Sequence, residues 1–506
     1  MIDKERLCRI EDIVDKSGVA KRIEALLPIG CRPRQLSVRT FLVGTMASLA
    51  GGRPGHLICV HRVLLSLSEA DQLRLGILVD WGGRNHLLTY RQVEYTFSRI
   101  VKTLSKEAPS GEPSNTLSGI VDSLVEASVP ERHKATSRSL AVDWTDIESF
   151  AKPVSAKELE RGTKLSADPC ASWGHRRGDS PGQKDEMFFG YYLSLATMVK
   201  DEQGQEVPEL VRRMNLTSCH VDPVPAFVPV LKRLSDLGVA IGDILADSGY
   251  AHRTPEHWAL PLRMLGAKII TDLHPNDRGC QGTYVGTILF NGNLYCPATP
   301  VGLFDIAPLS RHPNAEEIKE HDGRSAELSR YKFSAISSDD ADGYHRVICP
   351  AKAGRVRCRL KQDSMALGYN RPEVLDPPGY PPTCCDQATI TVPPIVNAKT
   401  RQKHDYPSKS HRESYARRTA VERSNSRIKD PATTDVSKGW CRLMGLTPLV
   451  VFLACALVTR NMAVTDAFDK RQTENAKRLE EGKPLLTRKR RRRSINDLLT
   501  QTTPAA

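Results

Sequence analysis

The segment YARRTAVERSNSRIK carries Tyr415, Arg418, Glu422 and Lys429, with the last three at offsets of three, seven and fourteen residues from the tyrosine. On an α-helix turning about 100° per residue, these four side chains fall within about 60° of one another along a stripe ~21 Å long. One carboxylate then stands among two cations and a phenol. Glu422 could hold a metal ion while Arg418 and Lys429 grip phosphates and Tyr415 offers a hydroxyl and a ring. The bland alternative is a solvated helix laced with i,i+3 and i,i+4 ion pairs. Two further carboxylates shift the balance. Asp143 lies inside LAVDWTDI, and Asp247 closes DILAD just before Ser248 and Gly249. Both runs read as strands, and the carboxyl ends of strands are where open α/β sheets place ligands. Two carboxylates brought together there repel and rise in pKa unless a cation neutralises them. Three carboxylates suit Mg²⁺, and two such ions ~3.5 to 4 Å apart can clamp an in-line displacement at phosphorus. Asp146 and Asp243 are rivals for these roles. By strand alternation Asp146 faces opposite to Asp143, and Asp243 shares a face with Asp247 but lies four residues earlier.

The elements that must hold these groups are legible in outline. Strands are expected over Leu140–Ile147, Met187–Val199, Asp243–Asp247 and Ala267–Leu273, with a helix ending at Gly238 between the second and third. Thr254, Pro255 and Gly266 bracket another helix, kinked by Pro261. Strands alternating with helices argue for an α/β layered core. Upstream, helical signals cover Leu36–Leu49, Ser68–Leu78 and a segment opened by Thr89 as N-cap, so residues 1–106 read as an all-α domain. EAPSGEPSNTLS, residues 107–118, has the composition of a linker. Residues 275–410 are rich in Pro and Gly with short apolar runs and read as a mostly β insertion, after which helix resumes at His411.

With 506 residues, 40% hydrophobic and 26% charged, the chain is long enough for at least two cores and has the composition of an ordinary globular protein. The longest apolar run, Leu446–Val458, is short of the ~20 residues of a membrane span. The opening MIDKERLCRIED has no apolar signal-peptide core, and thirteen dispersed cysteines read as reduced thiols. A cytoplasmic protein is expected. The net charge of +13 is concentrated: residues 399–429 contribute +7 and residues 470–493 contribute +8, the footprint of a surface that neutralises phosphates. The Arg488–Arg493 run alone also reads as a tail or a targeting signal.

Taken together, Tyr415, Arg418, Glu422 and Lys429 match in full the Y(2)R(3)E(6)K signature of the DDE transposases of bacterial insertion sequences, and the chain resembles that family. AVDWTDI around Asp143, ILADSGY around Asp247 and the stretch from Ala167 to Asp179 are similar to the blocks that accompany the family's first two aspartates. The resemblance implies an α/β fold with an RNase H-like mixed-sheet core over residues 137–274 and 411–465. A β-rich insertion at 275–410 interrupts it, a linker at 107–136 precedes it, and a basic tail at 466–506 follows. It further implies that Asp143, Asp247 and Glu422 are catalytic and bind two Mg²⁺ ions, for which Mn²⁺ can substitute. Tyr415, Arg418 and Lys429 would contact DNA near the cleaved end. Double-stranded DNA would be the partner, held by a homodimer in a nucleoid-associated setting, with residues 1–106 as a possible end-binding domain. Hydrolysis would free a 3′-hydroxyl that attacks target DNA. Two other readings remain: a non-catalytic DNA-binding regulator derived from a transposase, and an RNase H-like nuclease that cuts without joining.

Weaker signals surround this set. Cys280, Cys296, Cys349, Cys358, Cys384 and Cys385, with His345, could bind zinc, but no CxxC pair occurs and buried reduced thiols are expected. Tyr284, Tyr295 or Tyr331 of the insertion could stack on a flipped base, as the resemblance implies. Trp144 is expected to be core.

Overall fold

The computed structural model describes residues 2–28, 35–81, 84–106, 111–162, 165–176, 185–306, 309–310, 313–430 and 434–486. The chain has a mixed α/β fold. A two-stranded hairpin, β1 (Leu78–Trp81) and β2 (Arg84–Leu87), precedes the main sheet. That sheet comprises β3 (Ser139–Glu148), β4 (Ser172–Arg176), β5 (Glu186–Val199), β6 (Val211–Ser218), β7 (Asp243–Ala246) and β8 (Lys268–Thr271). Its order is β4-β5-β3-β7-β8, with β6 also paired to β5. β3 runs antiparallel to β5 over ten residues, from Ser139 opposite Val199 to Glu148 opposite Gly190. Its other edge is parallel to β7, with Leu140 beside Ile244 and Ala141 beside Leu245. β8 continues the parallel half, with Leu245 beside Ile270.

Alternation along β3 sends apolar side chains to both faces. Leu140 and Val142 join a cluster with Val224, Phe227 and Leu231 of the Pro223–Asp236 helix. Ala141 and Ile147 join Val421 and Ile428 of the Thr419–Ile428 helix on the opposite face. The sheet is therefore the middle layer of three. Gly190 is required where β5 crosses β3, because a Cβ there would sit 2.1 Å from the Ile147 carbonyl oxygen.

The four expected core strands are present, with ends shifted by at most two residues. β6 was not expected, because its sequence VRRMNLTS puts two arginines in succession. All eight of its residues are buried. Glu126 accepts from Arg212 Nε at 3.3 Å and from Arg213 Nη1 at 2.8 Å, and its other oxygen takes Arg212 Nη2. Asp122 accepts from Arg233 Nε at 2.6 Å and lies 3.7 Å from Arg213. These acids belong to the Asn115–Ala127 helix, inside the stretch 107–136 read as a linker. That reading is corrected: Leu117, Ile120, Val121 and Leu124 are buried in the main core, and Ser114 caps the helix by accepting the Leu117 N–H. Residues 107–110 lie outside the described residues.

Two other expectations change at the ends. Among the described residues of 1–106 there are six helices and the β1–β2 hairpin, which the reading as all-α missed in a short run holding Trp81 and charged neighbours. Leu446–Val458 opens a helix that continues to Glu480, so residues 466–480 are not tail, while residues 487–506, including the Arg488–Arg493 run, lie outside the described residues. By length and composition this helix could cross a membrane, but 83% of its apolar window is buried inside the protein. Leu449, Leu453, Ala456 and Leu457 share one core with Leu7, Phe41 and Met46 of the N-terminal helices.

The insertion contains two three-stranded antiparallel sheets and also a helix, Ala315–Ser329, that its composition concealed. Its N-cap Asn314 and Glu317 form a reciprocal capping box.

Candidate active site

Asp143 and Asp247 are brought together by strand register. Ala141 pairs with Leu245 across the parallel edge of β3 and β7, so two residues further on Asp143, midway along β3, and Asp247, just past the end of β7, stand level on one face. Asp247 caps the short Ser248–Ala251 turn of helix, its Oδ1 accepting from Gly249 N at 2.9 Å and Tyr250 N at 3.3 Å. Glycine is needed at 249, since a Cβ would come within 2.7 Å of the Trp144 ring and 3.1 Å of Asp247 Oδ1. Trp144 itself packs on Tyr250 with ring centroids 4.7 Å apart, a core role as expected.

The Glu422 helix lies on the same face. It is not one continuous α-helix: Lys409–Tyr415 is helical, Ala416–Arg418 tightens to a 3₁₀ turn, and Thr419–Ile428 resumes. Tyr415, Arg418 and Glu422 still share a side. The Arg418 guanidinium lies 5.6 Å from the Tyr415 ring centre, forms an ion pair with Glu422, and approaches Asp143 Oδ2 at 3.9 Å. Asn425, one turn beyond Glu422 and unremarked in the sequence, donates to Asp143 Oδ2 at 3.2 Å. An i,i+3 reading from Glu422 could have found it. Lys429 is not with this group. It donates to Asp146 Oδ1 at 2.9 Å, and Arg176 takes the other oxygen. Burial works against the Asp146 carboxylate, but these two cations hold it below the usual range.

The electrostatics single out Asp143. Desolvation first, then the neighbouring Asp247 charge, push its pKa up to about 7, against the pull of Arg418. Asp247 is also raised, chiefly by burial, again opposed by Arg418. Asp272, which sequence reasoning passed over, stands just after β8 and level with Asp247 by the β7–β8 register. It accepts from Tyr406 Oη at 2.8 Å and Arg278 Nη2 at 3.1 Å. Asp243 is excluded as a rival because Lys403 Nζ at 2.9 Å and Arg417 Nη2 at 2.8 Å occupy its carboxylate.

The donor set is all oxygen, partly buried and short of compensating charge, which fits a hard divalent cation. Arg418 supplies a positive charge beside Asp143 and Glu422. The three carboxylates are gathered but not closed. Among the described residues, the one group of three His, Cys, Asp or Glu side chains whose donor atoms all lie within 4.8 Å is His252, His274 and Asp277. Glu422 is turned to Arg418 and is half exposed. The insertion cysteines likewise form no such group, although Cys296, Cys349, Cys358 and Cys384 share one buried cluster.

The cations of the basic patch at 399–429 are extensively paired. Lys399, Arg401, Lys403, Arg412, Arg417, Arg418, Arg423 and Lys429 all form ion pairs with acids of the same chain. Of the insertion tyrosines, Tyr295 and Tyr331 are buried and Tyr284 donates to the Thr391 carbonyl. Tyr369 and Tyr380 are the strongly exposed rings there. Compared with known proteins, the chain matches no family model and no curated sequence.

Proposed function

We propose that the chain is a metal-dependent DNA transposase of the DDE type, built on an RNase H-like core. The observation that carries this reading is the level placement of Asp143, midway along β3, and Asp247, just past the end of the adjacent parallel β7, with Glu422 presented by a helix across the same face. The mixed sheet β4-β5-β3-β7-β8, with β6 also paired to β5, β3 antiparallel to β5 and parallel to β7, supports the mixed-sheet core that the resemblance implies. The Y(2)R(3)E(6)K spacing adds the resemblance to insertion-sequence transposases.

In this reading Asp143, Asp247 and Glu422 would hold two Mg²⁺ ions, which would supply Lewis-acid activation of the nucleophile and stabilisation of the leaving oxygen. The chain's own residues do the rest. Asn425 fixes the Asp143 carboxylate. Arg418 neutralises the carboxylates in the free protein and, once they are otherwise compensated, is released toward a DNA phosphate. Tyr415 packs under that guanidinium and fixes its swing. Lys429, paired to Asp146, contributes to phosphate binding only by giving up that pair.

The deciding experiment incubates the full chain with labelled double-stranded element ends, Mg²⁺ and a target plasmid. A transposase cuts and joins, a nuclease only cuts, and a regulator binds without either. Asp247→Ala and Glu422→Ala are expected to bind the ends and leave them intact; full cleavage by either variant rejects the assignment. Arg418→Ala tests the phosphate role separately. Loss of one phosphate contact should weaken DNA binding and flatten the plot of log affinity against log salt by about 0.9. An unchanged slope assigns Arg418 to the carboxylates alone.

A further inference from the structure

The loops that leave β7 and β8 meet a second time, beyond the strand-end carboxylates. His252 follows the short helix that Asp247 caps, His274 caps the 3₁₀ turn Pro275–Asp277 after β8, and Asp277 is the last residue of that turn. The two imidazole rings lie against each other with centroids 3.9 Å apart. His252 Nδ1 is 3.7 Å from Asp277 Oδ2, and one donor atom from each of the three residues lies within 4.8 Å of the others. Asp277 is asymmetrically satisfied: Lys399 Nζ donates to Oδ1 at 2.8 Å, while Oδ2 is buried without a hydrogen bond. A buried carboxylate oxygen with no donor is a costly state for a native protein unless something else binds it.

We infer that His252, His274 and Asp277 form a transition-metal site of the zinc class, separate from the strand-end carboxylates. Two imidazoles and one carboxylate are the borderline nitrogen and oxygen set that zinc takes with a fourth position open, whereas Mg²⁺ prefers oxygen alone. The unpaired Oδ2 supplies the anionic ligand. Lys399 holds the other oxygen, the outer-shell contact that orients a ligating carboxylate. The Asn276 N–H approaches His274 Nδ1 at 3.3 Å, a contact long enough to yield to a metal–nitrogen bond. All three side chains are partly exposed, so an ion from solution can reach them. Such an ion ties the loop that begins at Asp247 to the loop that begins at Asp272, and it fixes both next to the carboxylates without taking part in their chemistry.

The test needs no DNA. Full-length protein is stripped with a chelator and titrated with Co²⁺ and then Zn²⁺, with visible absorption, metal analysis after gel filtration and thermal unfolding as readouts. A single equivalent of Co²⁺ is expected to give ligand-field bands that Zn²⁺ abolishes and a large excess of Mg²⁺ does not, and Zn²⁺ should raise Tm. His274→Ala and the milder His252→Gln should each lose the bands and the Zn²⁺-dependent rise in Tm, while circular dichroism reports whether each is folded. Asp143→Asn should keep both, which separates this site from the strand-end carboxylates and leaves the outcome independent of the DNA reading. Absence of bound Co²⁺ in the wild-type chain, displacement by Mg²⁺, or full retention by a folded His252→Gln or His274→Ala protein overturns the proposal.

Discussion

On the proposed reading as a transposase, Asp143→Asn is expected to lower cleavage of element-end DNA by roughly 10³-fold, the upper end of what one preorganised electrostatic partner supplies, while making the protein without added metal more stable at neutral pH. Both effects come from one cause. The carboxylate is desolvated and faces Asp247, so its folded pKa of about 7 exceeds the ordinary value for an unfolded chain of about 3.9. The folded state therefore binds the proton more tightly. The stability that this provides is complete below pH ~4 and is lost as pH rises toward 7, where the ionised group costs up to about 4 kcal/mol. Thermal unfolding of the metal-free wild type should fall across pH 5 to 8 more steeply than that of Asp143→Asn, and Mg²⁺ should recover the loss only in the wild type. Equal pH slopes for the two proteins would show that Asp143 is not the strained group.

The largest effect on folding is expected far from that site, at Glu126→Ala. Arg212 and Arg213 are 1% and 0% exposed, and Glu126 bridges both. Removing it leaves two buried guanidinium groups with only the Lys134 and Arg212 carbonyls as acceptors and Asp122 3.7 Å from Arg213, and breaking such a buried pair typically costs about 3–5 kcal/mol. Denaturant unfolding followed by circular dichroism should show the loss, with activity per folded molecule unchanged. Glu126→Gln, which keeps the shape and one acceptor, should fall between the two. A loss below about 1 kcal/mol for the alanine variant would mean that water reaches the arginines.

The two aspartates could be placed from sequence because apolar runs such as Leu140–Val142 and Ile244–Ala246 fix strand positions by hydrophobicity alone, and their carboxylates stand where those runs stop. The side of the helix carrying Glu422 was likewise readable from spacing, although the tightening at Ala416–Arg418 was not. What stayed hidden depended on partners distant in sequence. β6 looks polar until Glu126, 86 residues before Arg212, is known to satisfy its arginines. The acids paired with the basic patch, Asp243, Asp339 and Asp146, come from elements that pattern alone cannot place beside it. The helix Asn115–Ala127 was masked by the Pro, Gly and Ser residues just before it, and His252, His274 and Asp277 meet only because two loops leave neighbouring strands in the same direction. Local periodicity reports burial well and reports long-range charge pairing hardly at all.

The helix beginning at Leu446 also sets the order in which the molecule can be assembled during synthesis. Its buried side chains complete the core begun by Leu7, Phe41 and Met46, yet the ribosome makes it some 400 residues after them. Until then the amino-terminal bundle exposes the groove meant for this helix. A nascent chain halted anywhere within the insertion should therefore present a sticky, protease-sensitive leading half and depend on chaperones, and release of the last hundred residues should close it in a single concerted step.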